Sequence, residues 1–290
     1  MSALPTPAAA ARSEAVREPG PLTRLWRSRS GRLAALSLAF AAIVLLLPLA
    51  LPSPYHSEIA DRLQSPSLAH PFGTDAFGRD VFSRVVTGAR ATWLVGLAAA
   101  VLSLLIGGLI GALAAVSGRF GDGVLMRLVD VVLAFPATLL ALVLAIAIGP
   151  GVWTVVIVVA FVYSAQVARF VRSLVKREST QEYVEAARLV GSSRRRVLGY
   201  HVGINVLPTL LVYQMTIAAD AILVEAGLSY LGAGVRPPTP SWGGMIQEGQ
   251  ELIFSGVWWT TLFPGIAIAI TALLLNAIAD RTIADISLDR

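Results

Sequence analysis

The chain carries uncharged apolar runs that are too long for a water-soluble core. Leu33 to Leu51 is 19 residues without a charge, Ala91 to Gly118 is 28, and Val131 to Ala168 is 38. A helix needs about 20 apolar residues to cross the hydrocarbon layer of a bilayer. In lipid the backbone must satisfy its own hydrogen bonds, which a helix does within one segment. The runs therefore predict transmembrane helices. The 38-residue run exceeds one crossing, and Gly149-Pro150-Gly151 in its middle marks a turn, so it divides into two helices joined by a hairpin. A fifth, weaker run extends from Leu207 to Leu231 and contains Asp220 and Glu225, and a sixth covers Leu252 to Ala279. The expected fold class is an all-α polytopic membrane protein with six transmembrane helices.

Composition excludes other classes. Of 290 residues 56% are hydrophobic and only 14% charged, about half the usual charge of a soluble domain. A soluble enzyme or a disordered regulator does not have this balance. With no cysteine, disulfides, thiolate zinc sites, iron–sulfur clusters and cysteine nucleophiles are absent. The net charge of +5 does not read as a nucleic-acid footprint, because the basic residues lie in the gaps between apolar runs.

Those gaps set the orientation, because cytoplasmic loops hold the excess of Lys and Arg. With the N-terminus inside, the inner segments hold 18 of them and the outer segments five: Arg62, Arg79, Arg84, Arg90 and Arg236. Both termini are therefore expected in the cytoplasm. No A-x-A site follows Leu51, so the first run is expected as a retained helix and not a cleaved signal. Residues 1–31 read as a flexible cytoplasmic tail, 32–90 as the first transmembrane helix and an outer loop, and 91–290 as a five-helix core.

Within that core the inner loop 169–206 is the most charged stretch. Ser179 with Glu182 has the spacing of a capping box, Gln181 to Val190 holds strong helix formers, and Gly191 stands where a C-terminal glycine belongs. A helix of about ten residues is predicted, followed by a second one through Arg194–Tyr200, capped by Ser193. On the first, Ala186 and Ala187 permit close approach, Tyr183, Val184 and Leu189 offer apolar contact, and Glu182, Glu185 and Arg188 offer charge. This pattern fits either a docking helix for a cytoplasmic partner or an amphipathic helix on the membrane surface.

Glu185-Ala186-Ala187, three residues, then Gly191 resembles the EAA loop of permease subunits of binding-protein-dependent ABC importers. That family's Leu-Pro after the second loop helix is absent at 203–204; Leu207-Pro208 follows four residues later. His70-Pro71-Phe72-Gly73-Thr74-Asp75 through Arg84, then Gly88-Ala89-Arg90, resembles the dipeptide, oligopeptide and nickel permeases of the C type. So do Leu228-Ser229-Tyr230-Leu231-Gly232, Pro237 through Gly243, and Arg127 to Pro136. The resemblance implies a type I importer permease fold. It also implies peptide import, with nickel or another small solute as the alternative, and ATPase coupling through Glu182, Tyr183, Glu185, Ala186, Ala187, Leu189 and Gly191. Implied partners are a second homologous permease, two ABC ATPase subunits or domains, an extracytoplasmic solute-binding protein and the bilayer of a bacterial or archaeal cytoplasmic membrane.

Several other residues carry expectations. Asp220 and Glu225 either line a translocation path or hydrogen-bond between helices, since charge inside a bilayer is costly. Gly107-x-x-x-Gly111 permits close helix packing. Thr74 or Asp75 is expected to start a helix with exposed i,i+4 pairs Asp75/Arg79 and Asp80/Arg84. Trp242, Trp258 and Trp259 suit an outer interface belt, and Pro136 and Pro264 are expected to kink their helices. The three histidines, His56, His70 and His201, are too scattered for a metal site. The single lysine, Lys176, lies between Val175 and Arg177, so no P-loop exists. The chain is expected to be non-catalytic, with ATP and Mg bound by partner subunits. A stand-alone secondary transporter, with Asp220 and Glu225 as its only relay candidates, and a membrane scaffold are the readings from other classes.

Overall fold

The computed structural model describes residues 53–193 and 196–288. The expected tail 1–31 and the expected first helix Leu33–Leu51 lie outside the described residues. Among those described, regular structure is helical, with one isolated bridge between Thr74 and Asp80. In chain order the α-helices are α1 (Val81–Val116), α2 (Arg119–Leu133), α3 (Ala137–Ile148), α4 (Val152–Glu178), α5 (Glu182–Leu189), α6 (Gly203–Tyr230), α7 (Trp242–Gly249) and α8 (Trp259–Leu288). Four stretches are long and apolar enough to cross a membrane: α1, α4, Val197–Tyr230 containing α6, and α8. The bent pair α2 and α3 makes five if counted as one span.

α1 begins ten residues before its charge-free run. The expected start at Thr74 or Asp75 is corrected: Asp80 is the cap, its Oδ2 accepting from Ser83 N at 2.7 Å. Asp75 instead folds a tight turn, its Oδ1 accepting from Phe77 N at 2.8 Å and Arg79 N at 3.0 Å. The chain reverses at Gly78, whose φ of 74° suits glycine.

The third expected span is also corrected. It is interrupted at residues 134–136, where α2 and α3 meet at 84°. Proline lacks an N–H and pushes the preceding residue out of the helical region, so Pro136 caps a new helix instead of bending one. The hairpin after α3 does turn at Gly149, with φ 101°. Pro264 sits in the second turn of α8, which runs on past it, and Pro208 lies inside α6. The expected separate helix at Arg194–Tyr200 is instead a π-helical turn, Val197–Val202, running directly into α6.

The glycines of α1 set its packing. A Cβ on Gly107 would lie 2.3 Å from Ser164 O, and one on Gly111 2.3 Å from Ala168 O. Both glycines therefore seat the backbone of α1 directly on α4 of the same chain. Gly96 makes room for the Ile222 side chain of α6, whose Cγ1 would lie 2.5 Å from an added Cβ. With α1, α3 and α6 around it, α4 is the best-covered long helix; 67% of its apolar window is buried, against 33–44% in the other three.

The segment before α1 packs on α7 and α8. Phe72 stacks on Phe263 at 3.9 Å and meets Phe82 edge-on. Trp259 Nε1 donates to Thr74 O at 3.0 Å and Trp242 Nε1 to Val85 O at 2.8 Å. Both indoles are buried, so of the three expected belt residues only Trp258 is exposed. A buried indole N–H needs an acceptor, and these two find it on distant backbone. The expected pair Asp80/Arg84 is absent: Arg84 Nη1 donates to Asp75 Oδ2 and, at 2.8 Å, to Glu248 Oε2 of α7. Arg79 joins both acids, at 2.7 and 2.9 Å. The group is not exposed, Arg84 being 4% accessible.

Candidate functional site

The predicted docking helix forms as α5. It is two turns long, and its start differs from expectation. Ser179 does not cap Glu182; its hydroxyl donates to Val175 O at the end of α4. Gln181 is the N-cap residue, without a side-chain cap bond, and the acids Glu182 and Glu185 complement the helix dipole in the first turn. The end is as expected. Gly191 takes φ 82°, its N–H donates to Arg188 O at 3.0 Å, and Ser192 N–H donates to Ala187 O at 3.0 Å. These two bonds are a Schellman motif.

One side of α5 is rooted and the other is free. Val184 is fully buried. The Tyr183 hydroxyl donates to Glu178 Oε1 at 2.8 Å and accepts from Asn205 Nδ2 at 3.0 Å. It thereby ties α5 to the end of α4 and the start of α6. Glu182, Glu185, Ala186, Leu189 and Gly191 are exposed, and Ala187 is partly so. Leu189 and Val190 are 88% and 82% accessible, an apolar surface that water does not favour. The structure thus gathers all seven expected coupling residues on one short element: Tyr183 braces it, and the others form or border its open surface.

Asp220 and Glu225 part company. Asp220 is partly exposed on α6. Glu225 is fully buried; its Oε1 accepts from Ser229 Oγ at 2.7 Å, and that oxygen in turn accepts from Val235 N at 3.2 Å. Among the described residues no group of three or more His, Asp or Glu has the arrangement of a metal site.

Residues 107–285 match the family model described as binding-protein-dependent transport system inner membrane component. The chain belongs to this family. It is 42% identical, over 97% of its length and 95% of the relative's, to a Brucella suis protein provisionally named a peptide transport system permease protein. It is 40% identical, over 82% of its length and 79% of the relative's, to a second Brucella suis protein provisionally named a peptide permease protein. An Escherichia coli protein provisionally named a D,D-dipeptide transport system permease protein, DdpC, is 35% identical over 88% of this chain and 87% of its own. The family match covers α2 to α6 entirely, with α5 near its centre.

Two features of this inner membrane component were not read from sequence. In the brace Glu178–Tyr183–Asn205 the Tyr183–Asn205 bond joins residues 22 positions apart, and no local pattern marks it. Glu248 reaches Arg84 from 164 positions away, and no local pattern marks that contact.

Proposed function

We propose that this chain is a transmembrane subunit of an ATP-driven importer of peptides, forming half of the translocation path and coupled to a separate ATPase through residues 181–191. The observation that carries the reading is α5: a capped helix, braced at its root, that leaves Leu189 and Val190 almost fully open to solvent within the span of the family match. The names of the relatives support the peptide class.

In this reading the chain has six spans, with Leu33–Leu51 as the first, and both termini in the cytoplasm. It resides in the cytoplasmic membrane of a bacterium or archaeon. Its partners are a second homologous permease, two ABC ATPase subunits or domains, and an extracytoplasmic solute-binding protein. ATP and Mg bind to the ATPases, and this chain contributes no catalytic group. Glu182, Glu185, Ala186, Ala187 and Leu189 enter a groove on one ATPase; Gly191 ends the helix and Tyr183 holds it to the spans. When the ATPases close, α5 is displaced as a stiff lever and α4 and α6 follow through Glu178 and Asn205. Of the two acids in α6, Asp220 has surface to offer the path, whereas Glu225 has none in this chain.

The test is a tagged pull-down from membranes in mild detergent, with co-purifying chains identified by mass spectrometry. Two ATPase copies and a second permease are expected. A monomer or homodimer without ATPase, in a detergent that preserves known importers, would move the assignment to a secondary transporter.

A further inference from the structure

The cytoplasmic end of α4 holds α2 as well as α5. Arg169, Arg172 and Lys176, at spacings of three and four, share one face of α4. They meet Asp130 and Asp122 of α2 in antiparallel order. Arg172 grips Asp122 with two donors, Nε to Oδ1 and Nη2 to Oδ2, the second at 2.6 Å. Lys176, the only lysine in the chain, donates to the same Oδ2. Asp130 accepts from Arg169 and is half exposed, whereas the Asp122 side chain is 13% accessible. A bidentate, poorly hydrated, doubly paired carboxylate is a stronger tie than an exposed pair. An apolar seam runs beside these ties: Val129 packs with Ala165 and Ala168, with Met126, Val132 and Leu133 of α2 partly buried against them, while Phe120, Val124, Leu128 and Val131 face outward.

The positions of these ties have a consequence. Lys176 lies six residues before α5 begins, and α2 leads through the 84° elbow into α3. We propose that Asp122 is a positioning residue that makes α2 follow the cytoplasmic end of α4, so that a displacement of α5 reaches α3 through the elbow at Ala134–Pro136. This rests on the reading of α5 as the ATPase contact. It adds a second route from that contact into the membrane, lateral to the direct one through α4.

The chain has no cysteine, so with cysteine-free partner subunits spin labels placed at Leu139→Cys on α3 and Ser173→Cys on α4 are unique. In the complete complex in lipid vesicles, the distance between them is measured with and without ATP, Mg and vanadate, alongside ATPase content and hydrolysis. In the unaltered background a nucleotide-dependent change is expected. Asp122→Arg is expected to keep the ATPases bound and hydrolysing while the coupling of nucleotide to that distance falls at least about fivefold. Asp122→Arg with Arg172→Asp restores it, which a merely structural lesion would not allow. Asp122→Asn, nearly equal in volume, weakens it in the same direction and covers the case in which the charge reversal fails to fold. A full nucleotide-dependent change in Asp122→Arg or Asp122→Asn, or none in the unaltered background, overturns the proposal. Loss of the ATPases from the unaltered complex overturns instead the reading on which it rests, and the proposal with it.

Discussion

Replacing Gly107 by alanine adds one carbon where there is no room for it. That carbon would lie 2.3 Å from Ser164 O and 2.8 Å from Val167 Cβ. A comfortable C···O contact is about 3.3 Å or more, so α1 and α4 have to separate by about 1 Å. A gap of that size forfeits roughly a quarter to a half of each dispersion contact across it, and overpacking of this kind typically costs about 1–3 kcal/mol. The next residue supplies the control. A carbon on Gly108 meets only Leu104 Cδ1 of its own helix, at 3.6 Å, and alanine is a better helix former than glycine by about 1 kcal/mol. Both substitutions gain that propensity, so the two variants should differ by the overpacking cost alone, about 1–3 kcal/mol. At about 2–4 °C per kcal/mol for larger chains, that is a gap of roughly 2 to 12 °C in melting temperature. Heated detergent samples resolved by gel filtration give the midpoint. If Gly107→Ala melts together with Gly108→Ala, the close backbone seating of α1 on α4 is wrong.

The remaining expectations concern the two ends of the molecule. A side chain on Gly191 would meet nothing within 4 Å, so Gly191→Val costs backbone strain alone, about 1–2 kcal/mol or more for a β-branched residue; stimulated ATP turnover of the complex should fall with the membrane level unchanged, and Gly191→Asn should recover part of it. Glu185→Lys and Ala187→Trp should each abolish uptake while leaving the protein in the membrane, and normal uptake with either change would defeat the docking assignment of α5. Glu248→Gln leaves the buried Arg84 and its neighbour Arg79 with Asp75 as their only carboxylate; a loss on the order of 1–3 kcal/mol is expected by thermal melting, as for a buried charge that loses a hydrogen-bonded partner.

The sequence made the apolar runs, the Gly149 hairpin and α5 with its Gly191 terminus legible because each depends on neighbours in the chain. Hydropathy needs only a window, and a Schellman turn needs only a glycine after a helix. The elbow between α2 and α3 was harder. The run from Val131 is uniformly apolar, so hydropathy continues across a point where Pro136 removes a donor and resets the backbone. The turn before α1 departs from expectation for a different reason. Asp75, Asp80, Arg79 and Arg84 have helical spacing, but Asp75 is held in an Asx turn by two backbone donors. That frees Arg84 to find Glu248, which only the tertiary fold brings near. The tryptophans follow the same logic: in a membrane chain they read as belt residues until buried carbonyls such as Thr74 O and Val85 O appear opposite them.

The distribution of burial then says where movement can and cannot occur. α4 is the best covered of the long helices, and the glycines of α1 leave no slack against it. A close-packed contact does not deform gradually; it either moves as a block or repacks. α1 and α4 should therefore move together, and the shift that opens a path has to occur at looser seams. Two are visible. One is the elbow at Ala134–Pro136, where α3 joins α2 without an unbroken helix. The other is the partly exposed surface of α6 that carries Asp220. Both lie on elements that the ends of α4 and α5 touch, through Asp122 on one side and Asn205 on the other. A label on α1 at exposed Leu105 and one on α4 at exposed Ile157 should accordingly keep a constant separation through the ATP cycle, measured by the same spin-label method. A nucleotide-dependent change between them would mean that α4 slides on α1, and the block would have to be divided elsewhere.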